Sequence, residues 1–171
     1  DQIAEAITER TRAVVPVHLF GNVVDVRKIR AIVGPDIRIV EDCAQSHGAS
    51  IDAKTSGTMG DCGAFSFYPT KNLGGYGDGG MVLTDDTELA ETIRQQRMYG
   101  MVDKDTFTVD GTNSRLDELQ AAVLRVKLKH LAAMNQRRCE LADRYAERLP
   151  AAGLRPQGGR EGVRSAYHVY S

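Results

Sequence analysis

The sequence predicts an α/β fold, with a mostly parallel sheet flanked by helices. The continuous apolar run Ala13 to Val17 reads as a strand buried on both faces, and Ile37 to Val40 as a second buried strand. Between them Val26, Ile29, Arg30 and Val33 recur at helical spacing, and Gly34-Pro35 stops the pattern. Strand, helix, strand at this spacing is a βαβ unit, the building block of a parallel sheet with a right-handed crossover.

The other elements follow in order. Residues 3–10 carry a weak helical pattern, and Pro16 is unusual for a central strand. His18-Leu19-Phe20-Gly21 reads as a strand-to-helix loop. Phe65 to Phe67 reads as a strand with Ser66 facing away from the two phenylalanines, and Met81 to Thr84 as another after a glycine-rich stretch. Asp85-Asp86 is placed to cap a helix running to about Met98, and Met101 to Gly111 is polar enough for a surface loop. Ser114 with Asp117 approximates a capping box, which predicts one long helix from Asn113 to Leu149, ended by Pro150 and Gly153. Such a helix suits a strut joining two domains, a helix lining a subunit interface, or simply one long helix on a core. Tyr167 to Ser171 reads as a strand beginning.

The chain of 171 residues is long enough to bury one sizeable core. Its 22 basic and 23 acidic residues nearly cancel, which argues against a nucleic-acid or membrane-surface partner. No apolar run approaches membrane-spanning length, and no N-terminal signal pattern appears. The three scattered cysteines make neither a disulfide framework nor a zinc pattern, so a cytoplasmic location and no metal are expected. A first residue other than methionine and an end in mid-strand predict a piece from the middle of a longer protein. Such a piece should expose a sheet edge and need a partner chain for solubility.

The chemistry centres on Lys71. It stands between an apolar run containing Ser66 and a stretch with five glycines from Gly74 to Gly80, placed to act as an amine. Glu41-Asp42-Cys43-Ala44-Gln45 follows the second strand, where ligands of parallel sheets bind. In extended chain Asp42 and Ala44 point the same way. A carboxylate and a methyl so placed suit a flat heterocycle, the acid meeting its edge and the methyl lying beneath its face, with Gln45 reaching another ring substituent. Together these residues suggest pyridoxal 5′-phosphate held as a Schiff base on Lys71, with Asp42 on the pyridine nitrogen. Ser66 and Asn113, at a helix start, are the candidates for the phosphate. Each has a bland alternative: a solvated loop lysine, a solvated acid, a loop glutamine. The glycines lack the order of a nucleotide P-loop or a full dinucleotide fingerprint.

PVHLFG, EDCAQSHGA, GDCGAFSFYPTKNLGGYGDGGMVLTDD and NSRLDELQAAVLRVKL, in that order, resemble the DegT/DnrJ/EryC1/StrS family of sugar aminotransferases. The likeness runs from about Ala13 to Leu149. It implies the type I fold of pyridoxal-phosphate transferases and transfer of an amino group from an amino acid, with L-glutamate expected, to a nucleotide-linked keto-sugar. By the same likeness Lys71 is the Schiff-base lysine, Asp42 the partner of the pyridine nitrogen, Gln45 the neighbour of the ring hydroxyl and Ser66 a phosphate ligand. Asn113 matches an asparagine that reaches the phosphate of the neighbouring subunit, which implies a homodimer with shared sites. His18, His47 and Asn72 also match family positions; the two histidines are either structural or functional. Family members that dehydrate sugars carry histidine where this chain has Lys71, which favours amino transfer here. The family's upstream glycine-rich phosphate loop and ring-stacking aromatic are missing from the sequence. Residues 1–112 then form part of the large cofactor-binding domain, 113–149 a connecting helix and 150–171 the start of a small C-terminal domain. The alternatives are a non-catalytic regulatory or assembly protein of this fold, and a lyase or racemase using the same cofactor.

Overall fold

The computed structural model describes residues 2–171. A four-stranded sheet of order β1-β2-β5-β6 organises the chain, from β1 (Ala13–Val14), β2 (Arg38–Asp42), β5 (Cys62–Ser66) and β6 (Gly80–Leu83). The first three are parallel; β6 returns antiparallel beside β5. Between β2 and β5 lie the short β3 (Ser50–Ile51) and β4 (Lys54–Thr55), and β3 also pairs with β9 (Val163–Arg164).

Pro16 fits because β1 ends the sheet's strand order. Regular pairing stops after Val14, resumes as a bridge between Val17 and Asp42, and Pro16 contributes only its carbonyl, to the Asp42 N–H. Helix α1 (Gln2–Ala6) precedes β1, and α2 (Val26–Val33) crosses from β1 to β2. The Asp25 carboxylate accepts the Arg27 N–H at the start of α2, and Gly34, at φ 74°, ends it in a conformation only glycine adopts freely. Val26, Ile29 and Val33 pack with Ile39 of β2 to form one core cluster.

Helix α3 (Thr87–Gln96) starts as expected, with the Asp86 carboxylate accepting the N–H groups of Glu88 and Leu89. The polar stretch after it is a hairpin rather than an irregular loop. It is made by β7 (Met101–Asp103) and β8 (Thr106–Phe107), turned at Lys104-Asp105.

The single helix expected over 113–149 is two, α4 (Glu118–Leu128) and α5 (Leu131–Arg148), broken at Lys129-His130. The inward side changes target past the break. Leu124 of α4 packs against Phe67 and Leu73 and Leu131 opens α5 against the same cluster, whereas further along α5 Asn135 bonds Asn72 and the His47 carbonyl, and Arg138 and Cys139 meet the segment after β9. The Ser114–Asp117 capping box does not form. Asn113 bridges Met98, the Ser114 N–H goes to the Arg97 carbonyl, and Asp117 takes the N-cap position without a side-chain cap. Tyr167 to Ser171 is not a strand: the Ala166 and His168 N–H groups go to the carbonyls of Gly21 and Phe20. No helix among the described residues is long and apolar enough to cross a membrane.

Candidate active site

Because β1, β2 and β5 are parallel, their carboxyl ends open on one edge of the sheet, where ligands of such sheets bind. Asp42 closes β2 and Ser66 closes β5. Register places Asp42 opposite Ala64, so Asp42, Ala64 and Ser66 project from one face and Glu41, Gly63 and Phe65 from the other. Strand spacing and rise put the Asp42 and Ser66 Cα atoms roughly 8 Å apart. Lys71 follows β5 in a turn closed by its own N–H on the Tyr68 carbonyl.

Each group keeps bonding capacity to spare. Asp42 Oδ1 accepts the Ala44 N–H at 3.0 Å, and Oδ2 bonds nothing among the described residues. That bond turns the chain at Ala44, so strand alternation, the reason for expecting Asp42 and Ala44 on one side, does not apply. Gln45 Oε1 accepts the Phe20 N–H at 2.7 Å, holding Phe20 at φ 59° and leaving its amide N–H groups free. Ser66 Oγ accepts the Tyr68 N–H at 3.3 Å, and its own O–H remains to donate. The half-buried Lys71 amine has no hydrogen bond or ion pair among the described residues. Helix α4 pins the glycine stretch behind it: Gln120 Oε1 accepts the Tyr76 N–H at 2.7 Å, and Lys127 Nζ donates to the Gly74 carbonyl.

Asn113 stands apart. It is exposed, its Oδ1 accepts from Arg115 Nε at 3.2 Å, and it lines a cavity of about 1020 Å³ between β6, α3 and the start of α4. Asp42, Gln45, Ser66 and Lys71 do not line it.

Sequence reasoning missed the polar network that props the strand ends. Buried Glu41 accepts the N–H groups of Gly57, Met59 and Gly60 and approaches His18 Nε2 at 2.8 Å. Burial opposes its ionisation, but these bonds outweigh burial and hold the carboxyl below its ordinary pKa. His18 Nδ1 accepts the Val24 N–H, so the ring proton is on Nε2 and points at Glu41. Cys43 completes a tight buried trio with these two, but the histidine and carboxylate are committed to hydrogen bonds. Burial, then the Glu41 charge, pushes the Cys43 thiol up to about 12. The trio is a structural lock. The sequence did hold a signal for it: Glu41 stands two residues after Ile39, on the buried face of β2, and a buried acid must be paired.

A second network surrounds Lys71. Asn72 donates its amide to Asn135 Oδ1 at 2.9 Å and to the Ala166 carbonyl at 2.7 Å, and Asn135 donates to the His47 carbonyl. Asn135 lies on an otherwise polar helix, where nothing in the pattern marks it. His47 is buried against Phe65 and Phe67, with ring centroids 5.5 and 6.1 Å apart. Neither of its ring nitrogens has a hydrogen-bond partner. Burial, opposed by the Ser66 backbone and reinforced by the charges of Lys71 and His168, brings its pKa down to about 4.

The residues fit pyridoxal phosphate by their unused atoms. A free amine, a carboxylate oxygen without a partner, a hydroxyl and an amide with spare N–H groups share one sheet edge. This is the fold of the pyridoxal-phosphate-dependent aminotransferases. A crystal structure of Streptomyces venezuelae DesV, described as a complex with a ketimine intermediate, superposes with a TM-score of 0.91 at 46% identity. The match covers 98% of this chain and 46% of that one. The profile of the DegT/DnrJ/EryC1/StrS aminotransferase family matches residues 1–171, and the chain belongs to that family. It is 46% identical to a dTDP-3-amino-3,4,6-trideoxy-alpha-D-glucose transaminase of Micromonospora megalomicea, over 99% of this chain and 47% of the relative. It is 47% identical to the erythromycin biosynthesis sensory transduction protein EryC1 of Saccharopolyspora erythraea, over 98% of this chain and 46% of the relative. The chain spans about half the length of the curated relatives it matches.

Proposed function

We propose that this chain supplies the lysine-bearing part of a pyridoxal-phosphate-dependent aminotransferase that moves an amino group from an amino acid, L-glutamate foremost, to a nucleotide-linked keto-sugar. The observation that carries this is that Asp42 and Ser66 close adjacent parallel strands, with Lys71 in the turn that follows β5. The dTDP-sugar transaminase among the relatives supports the substrate class.

Asp42 Oδ2 would face the pyridine nitrogen and keep it protonated, Gln45 would donate to the ring hydroxyl, and Ser66 would donate to the phosphate. Ala44, turned by Asp42, would lie against the ring face, and Lys71 would hold the aldehyde. The bound cofactor supplies a sink for the electron pair left at the donor's α-carbon. Lys71 Nζ would take the proton from that α-carbon. Exposed Asn113 would serve the phosphate of a second copy, in a homodimer with shared sites.

A non-catalytic regulatory reading draws support from the sensory-transduction name of one relative. Incubating the full-length protein with pyridoxal phosphate, L-glutamate and dTDP- and UDP-linked keto-sugars tests both. Formation of 2-oxoglutarate and an amino-sugar, identified by mass spectrometry and NMR, is expected. Cofactor that binds without ever producing 2-oxoglutarate would decide for the regulatory reading.

A further inference from the structure

The segment after β9 returns to the Lys71 turn and places a histidine there. Asn72, the residue after Lys71, commits both amide hydrogens, one to Asn135 and one to the Ala166 carbonyl. Its Oδ1 can therefore only accept, and the atom facing it, 3.2 Å away, is Nδ1 of His168. Nδ1 must then carry the ring proton. In the neutral ring Nε2 is left as a bare lone pair, and it makes no hydrogen bond among the described residues.

We propose that His168 is a positioning residue for Lys71, held by Asn72 as the Nδ1–H tautomer so that its unprotonated Nε2 stands as a proton acceptor beside the site. The histidine orients the amine and takes a hydrogen bond from an ammonium group, either that of Lys71 or that of an incoming amino donor. No other bond changes; a proton shared with Nε2 returns when the amine does.

The surroundings keep the ring neutral. Burial comes first and lowers the pKa of His168, and the charges of Lys71 and of Arg138 on α5 add to it. His47 faces the same place from the loop after β2 and is itself held uncharged. Arg138 also donates to the Tyr167 carbonyl at 3.0 Å, which fixes the backbone that carries the histidine. The ring is thus fixed by α5, by the turn after β5 and by the backbone of the Phe20-Gly21 loop.

This inference rests on the proposed aminotransfer only for its purpose, and its first test needs no catalysis. In the full-length, cofactor-free protein labelled with 15N-histidine, NMR should show His168 with a protonated Nδ1 and an unprotonated Nε2. Lys71→Met should raise the pKa of His168 by about half a unit, because a neighbouring positive charge is gone. Asn72→Ala should abolish the tautomer preference. A ring protonated on Nε2, or a pKa unmoved by Lys71→Met, overturns the proposal even if the protein is an active transaminase. His168→Gln keeps a donor for Asn72 but has no titrating nitrogen. Its melting temperature should stay near that of the parent while kcat/KM for the amino donor falls about tenfold and loses part of its acid limb. A parent-like pH profile for this folded variant overturns the catalytic purpose. Absence of any transamination by the parent, with the tautomer and the pKa shift both found, refutes the proposed function and leaves the geometry standing.

Discussion

Glu41 and His18, 23 residues apart, meet at 2.8 Å with both side chains wholly buried, and the carboxylate also gathers three backbone N–H groups from the Gly57–Gly60 turn. One acid thereby ties β2 to the loop after β1 and to the turn leading into β5. The residue beside it, Asp42, is the proposed partner of the pyridine nitrogen, so the lock fixes the strand end on which the site depends.

Glu41→Gln should therefore cost far more than a surface change. The amide puts N–H groups where the pocket presents only donors, leaving buried donors unpaired, and we expect a loss of about 3 kcal/mol. Urea unfolding of the full-length variant against the parent measures it. A loss below about 1 kcal/mol, the range of a surface substitution, would sink the reading of this trio as a lock.

Acid should weaken the fold through three groups acting in the same direction. The folded pKa values of His47 and His168 lie below their ordinary value, so the unfolded chain binds more protons and stability falls as the pH drops below about 6.5. Glu41, also lowered, adds a loss as the pH passes down through its folded value. The buried His47, brought down to about 4, carries the largest share, on the order of 3 kcal/mol. Denaturant titrations at about pH 7 and about pH 4.5 should reveal the loss, and His47→Phe, which keeps the contacts with Phe65 and Phe67, should flatten it. An unchanged slope in that variant would contradict the assignment.

What could be read from the sequence was what local pattern controls. The β2 run, the α2 stripe with its Gly34 stop and the Asp86 cap all state their structure in a few neighbouring residues, and the structure forms them. The division at Lys129-His130 was hidden because neither residue breaks a helix; α5 keeps Leu131 on the Phe67 and Leu73 cluster and only further along, at Arg138 and Cys139, turns to the segment after β9. Of the candidate site, Asp42 and Ser66 stood out by closing strands and Lys71 by following one. His168 did not, since it reaches the Lys71 turn through a tertiary contact 96 residues long.

Gly63 of β5 tests the close approach that sets the strand ends. A Cβ there would fall 2.4 Å from the Gly57 Cα and 2.8 Å from the Gly57 carbonyl oxygen, which are backbone atoms that cannot rotate away. Gly63→Ala should push the Glu41-holding turn off β5 and cost about 3 kcal/mol, the upper end for overpacking. Gly158→Ala, where a Cβ meets nothing within 4 Å, is the matched control and should leave the melting temperature unchanged. Equal melting temperatures for the two variants would show that β5 and the turn do not pack as described.

The separation of Asn113 from Lys71 makes the shared-site arrangement testable without a structure of the dimer. Asn113 is exposed beside the 1020 Å³ cavity, and the Lys71 edge lies outside that cavity. If each site takes its lysine from one copy and its asparagine from the other, full-length Lys71→Ala and Asn113→Ala proteins should each be impaired. Lys71→Ala should be inactive in amino transfer and Asn113→Ala weakened in cofactor binding. A mixed dimer of the two has one site lacking both groups and one site with both intact, so refolding or co-expressing them together should restore cofactor affinity and turnover above those of either variant alone. Should the groups instead serve a site within one copy, every site in the mixture keeps one defect and mixing restores nothing. Purifying the hybrid through two different tags and measuring its turnover against each parent variant separates the two arrangements.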